Sequence, residues 1–219
     1  MKRTFTTIFG LAVACATSLI QAQEIKGDAK AGEGKVAMCI GCHGIIGYQA
    51  TFPEVYKVPM ISGQNAKYIT AALTEYKKGE RKHPTMRGIA DTLSEQDMAD
   101  VAAFYSTHTK DLQPAPEQAH EPNAQVAQLL QKGACVSCHG ANFSKTIDPS
   151  YPKLAGQHKD YLFAALRAYK DDKNHRLGRS NAIMAGMAKQ FTNAELKELA
   201  GYISSLPTEL QTLPESRFR

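Results

Sequence analysis

Two short stretches of this chain bring together side chains that can do chemistry. They are Cys39-Ile40-Gly41-Cys42-His43 and Cys135-Val136-Ser137-Cys138-His139. Two thiols three positions apart can add to the two vinyl groups of one porphyrin. The histidine that follows then stands under the ring and offers an imidazole nitrogen to the iron, which is the signature of c-type haem attachment. Two copies predict two haem c groups, bound by Cys39 and Cys42 and by Cys135 and Cys138, with His43 and His139 as proximal iron ligands. Other uses of the same residues fit less well. A four-thiolate zinc site would leave both histidines without a role. A thioredoxin-like redox pair needs a βαβ setting that the sequence does not offer. A disulfide between positions i and i+3 closes too small a loop to stabilise much.

The iron of an electron carrier needs a sixth ligand that stays bound in both redox states, and methionine sulfur meets that need while raising the potential. The chain repeats itself, and the repeat selects the methionine. The cysteine motifs recur at an offset of 96. Val58-Pro59-Met60-Ile61-Ser62-Gly63-Gln64 recurs as Tyr151-Pro152-Lys153-Leu154-Ala155-Gly156-Gln157 at an offset of 93, as do Tyr68 and Tyr76 in Tyr161 and Tyr169. The pattern over residues 93–105 recurs over 191–203 at an offset of 98, and at that offset Met86 pairs with Met184. Both are expected in loops ahead of the last helix of each repeat. Met38, Met60, Met98 and Met187 find no methionine partner and are expected as core filler, with Met187 as the fallback ligand for the second haem. His83, His108, His120, His158 and His175 have no histidine counterpart and are expected at the solvated surface; His83 and His175 are also possible misligating residues.

A ligand histidine gives its other ring N–H to an acceptor, which orients the ring and tunes the metal. The backbone carbonyls of Pro59 and Pro152 are candidates for that role, although a turn proline is the competing explanation.

The elements that must position these groups are helical. Short helices are expected over residues 29–38 and 124–132, running into the cysteine motifs. Helical spacing of Tyr, Ala and Leu marks 65–78 and 159–169. Thr192 with Glu195, and Ser94 with Asp97, set capping boxes for final helices reaching about Thr107 and Ser205. Small residues at Ala31 and Ala127 would let the first helix of each repeat approach the last. Offsets change only in loops, where length is cheap.

Residues 1–22 read as a secretory signal, with Lys2 and Arg3 before an apolar stretch and cleavage near Ala22. Pro114, Pro116 and Pro122 punctuate a polar linker. The expected organisation is a signal at 1–22, a first domain at 23–113, a linker at 114–122, a second domain at 123–207 and a C-terminal tail at 208–219. Among 219 residues there are 26 basic and 21 acidic side chains. Loss of the signal removes Lys2, Arg3 and Cys15, leaving 24 basic and 21 acidic residues and four cysteines. The first domain is balanced at 11 and 11, and the remainder carries 13 and 10. Four haem propionates would bring the whole close to neutral, so steering of partners is weak. No stretch reads as a nucleic-acid-binding patch.

With these motifs in place, the chain resembles the class I cytochromes c, and within them the two-haem cytochrome c4 family. The resemblance rests on both Cys-x-x-Cys-His motifs, both Pro-x-x-x-Gly-Gln blocks and both methionines ahead of capped helices, and it covers nearly all of residues 25–207. It implies an all-α fold of two tandem domains, each wrapped around one covalent haem, with the propionates meeting at the interface. It implies Met86 and Met184 as distal ligands and the Pro59 and Pro152 carbonyls as acceptors for the proximal histidines. It further implies an electron carrier of the periplasm, sometimes loosely associated with the membrane, working between a quinol-cytochrome c reductase and a terminal oxidase or another acceptor. With both axial positions filled, neither iron is open to substrate, so an enzyme is not expected. The alternatives are a cytochrome subunit of a sulfur-compound dehydrogenase and a di-haem peroxidase. Two loops depart from the repeat. The stretch from His to Pro is three residues longer in the first domain, through Phe52 to Tyr56, and the stretch before the ligand Met is five longer in the second, through Lys173 to Arg176.

Overall fold

A computed structural model describes residues 25–111, 114 and 116–214. The expected export signal at 1–22 lies outside the described residues, as do parts of the linker and the last five residues of the tail.

The first domain begins with α1 (Ala29–Glu33), capped by the Asp28 carboxylate, which accepts from the Lys30 and Ala31 amides. The expected single helix over 29–38 breaks at Gly34. A second helix, α2 (Ala37–His43), then carries the first cysteine motif. A two-residue antiparallel pair, β1 (Gln49–Ala50) and β2 (Tyr56–Lys57), folds the longer loop of this domain into a hairpin. Helix α3 (Ala66–Lys78) stops at Gly79, whose φ of 75° is left-handed and suits a residue without a Cβ. Helix α4 (Pro84–Asp91) starts on a proline, and α5 (Glu95–Thr107) starts in the expected Ser94–Asp97 capping box.

The second domain repeats the plan. Its helices are α6 (Ala124–Lys132), α7 (Val136–His139), α8 (Lys159–Lys170), α9 (Ala182–Ala188) and α10 (Asn193–Ser205). The Thr192–Glu195 capping box of α10 is present with both reciprocal bonds. One expectation is corrected: Met86 and Met184 are not in loops but in the first turns of α4 and α9. These helices span eight and seven residues, too short for periodicity to reveal them.

Each domain has its own core. In the first, Ile69, Leu73 and Tyr76 of α3 meet Met98, Val101, Ala102 and Tyr105 of α5. In the second, Leu162 of α8 and Val126, Leu129 and Leu130 of α6 meet Leu196, Leu199, Ala200 and Ile203 of α10. The core residues Met98, Val101, Ala102 and Tyr105 of α5 lie 98 positions before Leu196, Leu199, Ala200 and Ile203 of α10, so the two final helices turn the same face to the core.

The approach of the first helix to the last differs from expectation. Ala31 and Ala127 are exposed. In the first domain the close contact is made by Gly32: a Cβ there would stand 2.2 Å from the Asp100 carbonyl oxygen and 2.9 Å from the Phe104 Cβ. In the second domain the contact is made by Val126, Leu129 and Leu130. The same crossing holds a buried carboxylate. Asp100 accepts from the Asp28 amide at 2.8 Å, from Gln96 at 2.8 Å and from the Lys35 ammonium at 2.6 Å.

The two domains are tied together by several bonds. The Lys57 amide donates to Asp160, Asn65 donates to the Tyr151 carbonyl, and Arg167 pairs with Glu54. Residues 208–214 return from α10 to the first domain. Gln211 exchanges bonds with the backbone of Lys110, its amide donates to the Ser62 carbonyl, and Leu210 is buried.

Two expectations follow for stability. Gly32→Ala forces α1 away from α5 and is expected to lower unfolding free energy by about 1–3 kcal/mol. Gly34→Ala, where a Cβ finds only the Ala31 carbonyl at 3.6 Å, is expected to stay within about 0.5 kcal/mol; guanidinium denaturation of both variants measures the difference. Asp100 is held below its ordinary pKa of 3.8, chiefly by the Lys35 hydrogen bond, then by the Asp28 amide and Gln96. A depressed folded pKa means that its contribution is complete above pH 3.8 and is lost as pH falls through the folded value. Melting temperature measured against pH should therefore decline below pH 3.8, and Asp100→Asn should flatten that decline.

Candidate haem sites

Each cysteine motif ends a short helix, so its histidine side chain leaves the last turn and points into the domain. In the first domain His43 Nδ1 lies 2.9 Å from the Pro59 carbonyl oxygen. In the second, His139 Nδ1 lies 3.3 Å from that of Pro152. A carbonyl only accepts, so Nδ1 carries the proton in both rings, and Nε2 is left with a lone pair. Burial pushes both imidazoles below the ordinary histidine range, opposed by the proline carbonyls, and keeps the rings neutral. A neutral imidazole with Nδ1–H engaged and Nε2 available is the form that ligates a metal.

The four cysteines are half-buried and none is paired in a disulfide. Burial pushes Cys39 up to about 11 and raises Cys135 as well. Such thiols are poor catalytic nucleophiles. Among the described residues no three His, Cys, Asp or Glu side chains converge as a metal site, so the two motifs do not meet to form the four-thiolate centre weighed above.

Met86 is half-buried against the core of the first domain, packed on the same cluster as Cys39, Ile40 and Ile61. Met184 is half-buried on α9, and the cluster that holds Cys135 does not include it. Their backbone settings match. The Met86 amide donates to His83 Nδ1 at 3.3 Å, and the Met184 amide donates to Asn181 Oδ1 at 3.0 Å. His83 is thus an N-cap residue equivalent to Asn181, not a solvated histidine without a counterpart. Burial, then the positive charges of Arg179 and Arg81, lower it to about 4.

Other expectations divide. His120 and His175 are exposed as expected. His108 is half-buried, stacked on Phe104 at 4.7 Å and 3.0 Å from Ser62 Oγ. His158 is half-buried at the N-cap of α8, where the first repeat has Asn65. Met98 is core filler, but Met38 is 60% exposed and is not. The fallback ligand Met187 is half-buried, with its sulfur 3.8 Å from the Gln190 amide nitrogen.

The sequence reading missed a pair of arginines. Arg81 and Arg179 also lie 98 apart, each five residues before its methionine. Their backbones pair in an antiparallel bridge across the domain interface. Their exposures are only 4% and 8%. Arg81 donates to Tyr68 Oη at 3.0 Å and to Tyr161 Oη at 2.7 Å, and Arg179 donates to Tyr161 Oη at 3.3 Å. The Arg81 guanidinium lies over the Tyr76 ring at 4.8 Å, and that of Arg179 lies over the Tyr169 ring at 5.2 Å. Burial pushes the Tyr161 phenol up, but the two guanidiniums outweigh it and bring it down to about 7.

Neither arginine has a carboxylate partner among the described residues, and Arg81 Nε has no hydrogen-bond partner at all. Two adjacent buried cations without an anion are costly. The arrangement fits a cofactor that brings carboxylates to the domain interface, as haem propionates would. The protein's own residues therefore suit the group on three counts: paired thiols, a neutral imidazole with a free Nε2, and uncompensated buried positive charge.

Comparison with known proteins agrees. The family described as Cytochrome c matches residues 29–109 and again 124–207. Cytochrome c4 of Stutzerimonas stutzeri is 33% identical over 193 residues, covering 82% of this chain and 90% of that protein. A thiosulfate dehydrogenase electron acceptor of Stutzerimonas stutzeri (strain A1501) is 30% identical over 203 residues, covering 85% and 89%. The crystal structure of reduced recombinant cytochrome c4 from Pseudomonas stutzeri superposes with a TM-score of 0.61 at 30% identity, covering 83% of this chain and all of that one. Two matched domains, each with its own haem-binding motif, and similarity along nearly the whole of a two-domain relative show that the chain belongs to the cytochrome c family as a di-haem electron carrier of the cytochrome c4 type.

Proposed function

We propose that the protein carries electrons in the periplasm from a quinol-oxidising respiratory complex to a terminal oxidase or another acceptor. In this reading His43 and Met86 would hold the iron of the first haem, and His139 and Met184 that of the second. The observation that supports it best is the paired His–Pro geometry. In both repeats the proximal ring is neutral, oriented by a backbone carbonyl, and presents Nε2. A haem c supplies a one-electron couple at its iron.

The chain's residues do the rest. The cysteines would anchor the ring edge, and the histidines would fix its orientation. The buried faces of α3, α5, α8 and α10 keep water from the centre, and a dry site shifts the balance between charged and neutral forms. Arg81 and Arg179 would counter the carboxylates that haem brings between the domains. If His43 and Met86, and His139 and Met184, held the two irons, they would leave no open position for a substrate, as suits a carrier. Among the described residues no helix is long and apolar enough to cross a membrane.

A second reading is supported by the relative that serves thiosulfate dehydrogenase as its electron acceptor. Here the donor would be a sulfur-compound dehydrogenase. The two are separated by stopped-flow mixing of the oxidised protein with a quinol plus quinol-oxidising complex, and with thiosulfate plus its dehydrogenase. Fast reduction only in the second mixture would contradict the respiratory assignment. A peroxidase would require an open, high-spin iron that reacts with peroxide.

The ligand assignment has its own test. Ferric haem c with methionine sulfur shows a weak far-red band. Met86→Ala and Met184→Ala are each expected to remove about half of that band while leaving two haems per chain. Retention of the full band in Met184→Ala, with loss in Met187→Ala, would move the second ligand to Met187.

A further inference from the structure

The glutamines of the two Pro-x-x-x-Gly-Gln blocks are almost fully buried, Gln64 at 3% and Gln157 at 4% exposure. Each reaches across the interface and holds one backbone residue of the opposite domain by both of its peptide groups. Gln157 Oε1 accepts from the Met60 amide at 3.0 Å, and its Nε2 donates to the Met60 carbonyl at 2.9 Å. Gln64 Oε1 accepts from the Lys153 amide at 2.8 Å, and its Nε2 donates to the Lys153 carbonyl at 2.9 Å. Each Oε1 is also pinned by the amide of the next residue in its own chain segment, Asn65 at 2.9 Å and His158 at 3.0 Å.

Met60 and Lys153 are the residues that follow Pro59 and Pro152. The Pro59 carbonyl and the Met60 amide therefore belong to one planar peptide unit, as do the Pro152 carbonyl and the Lys153 amide. One side of each unit receives the N–H of a proximal histidine, and the other side gives its own N–H to a glutamine from the other domain. The chain of bonds runs from His43 through Pro59 and Met60 to Gln157, and from His139 through Pro152 and Lys153 to Gln64. We infer that each glutamine is a positioning residue for the proximal histidine of the opposite domain, so that docking of the two domains sets the electronic character of both axial imidazoles.

The physical basis is polarisation and rigidity. An amide that donates a hydrogen bond makes its own carbonyl a stronger acceptor. A stronger acceptor at Nδ1 makes the imidazole more basic and favours the oxidised metal. Holding the following residue at both peptide groups also fixes the direction in which the carbonyl points. Conversely, opening the interface weakens both imidazole bonds together.

The inference rests on the axial role given above to His43 and His139. It is tested on the exported holoprotein with Gln157→Leu and Gln64→Leu, which keep most of the side-chain volume and lose both bonds. The readouts are the reduction equilibrium of each haem, resolved by spectroelectrochemistry, and the NMR line of each histidine Nδ1–H. The expected pattern is crossed. Gln157→Leu should shift the His43 line and favour reduction of the first-domain haem by about three- to tenfold, where tenfold corresponds to 59 mV for one electron. Gln64→Leu should do the same for His139 and the second domain. If a leucine variant is not recovered with two haems, Gln157→Asn and Gln64→Asn retain the amide on a shorter stem and should shift in the same direction. Shifts confined to the glutamine's own domain, equal shifts in both domains, or none would overturn the inference. Failure of the axial assignment would appear separately, as a wild-type protein lacking the Nδ1–H lines of ligated histidine.

Discussion

The bond from a neutral imidazole N–H to a proline carbonyl is the interaction around which each domain is arranged. It fixes which nitrogen holds the proton and which keeps a lone pair for a metal. Burial supplies the neutral state, since water around His43 or His139 would let the ring titrate and turn. The helices exist in service of that burial. In each domain a capped final helix lays its apolar face on the long helix that follows the cysteine motif, α5 on α3 and α10 on α8, and closes the space behind that motif. The turn after the proline is bonded to the same final helix: the Gly63 amide donates to the Tyr105 carbonyl at 2.8 Å and the Gly156 amide to that of Ile203 at 2.9 Å. Both glycines have positive φ, and a Cβ at either would meet atoms of the C-terminal strap at 2.4 Å. The position of the carbonyl, and hence of the histidine, is thus determined by the packing of α5 and α10.

Duplication explains why the domain interface is symmetric in its chemistry. Gln64 and Gln157, Arg81 and Arg179, and Tyr68 and Tyr161 are equivalent pairs that meet across it. What is not duplicated is the outer boundary. The first domain alone has the β1–β2 hairpin, where Tyr56 packs on Tyr161 and Glu54 pairs with Arg167. The second alone has the longer loop before α9, and from that loop the Gly178 carbonyl accepts the Lys82 amide at 2.9 Å. Each insertion therefore reaches the other domain, and the two domains share one interface although each has a separate core.

Much of the site was legible because haem attachment is written in local sequence. Cys-x-x-Cys-His requires no knowledge of the fold, and the repeat offset offered Met86 and Met184 as candidate ligands and Pro59 and Pro152 as candidate acceptors. The capping boxes at Ser94 and Thr192 were legible for the same reason, since three-residue spacing is a local signal. The arginine pair was not recognised although it follows the same offset as the methionines. Its meaning is the absence of a carboxylate nearby, and that is a property of packing. His83 was misjudged because its counterpart is an asparagine. The two residues share a capping role rather than a chemistry. Gly32, and not Ala31, lies at the helix crossing, where the Asp100 carbonyl leaves no room for a Cβ. The glutamine contacts join residues 89 and 97 positions apart, and no periodicity in the sequence reports a partner at that distance.

The most direct test is intact mass spectrometry of the chain secreted by a host that matures c-type cytochromes. The account predicts one species whose mass exceeds that of the processed polypeptide by two haems, with the added mass retained under denaturing conditions and mapping to the peptides that contain Cys39 and Cys42 and Cys135 and Cys138. A bare polypeptide, or a pigment released on denaturation, would contradict it.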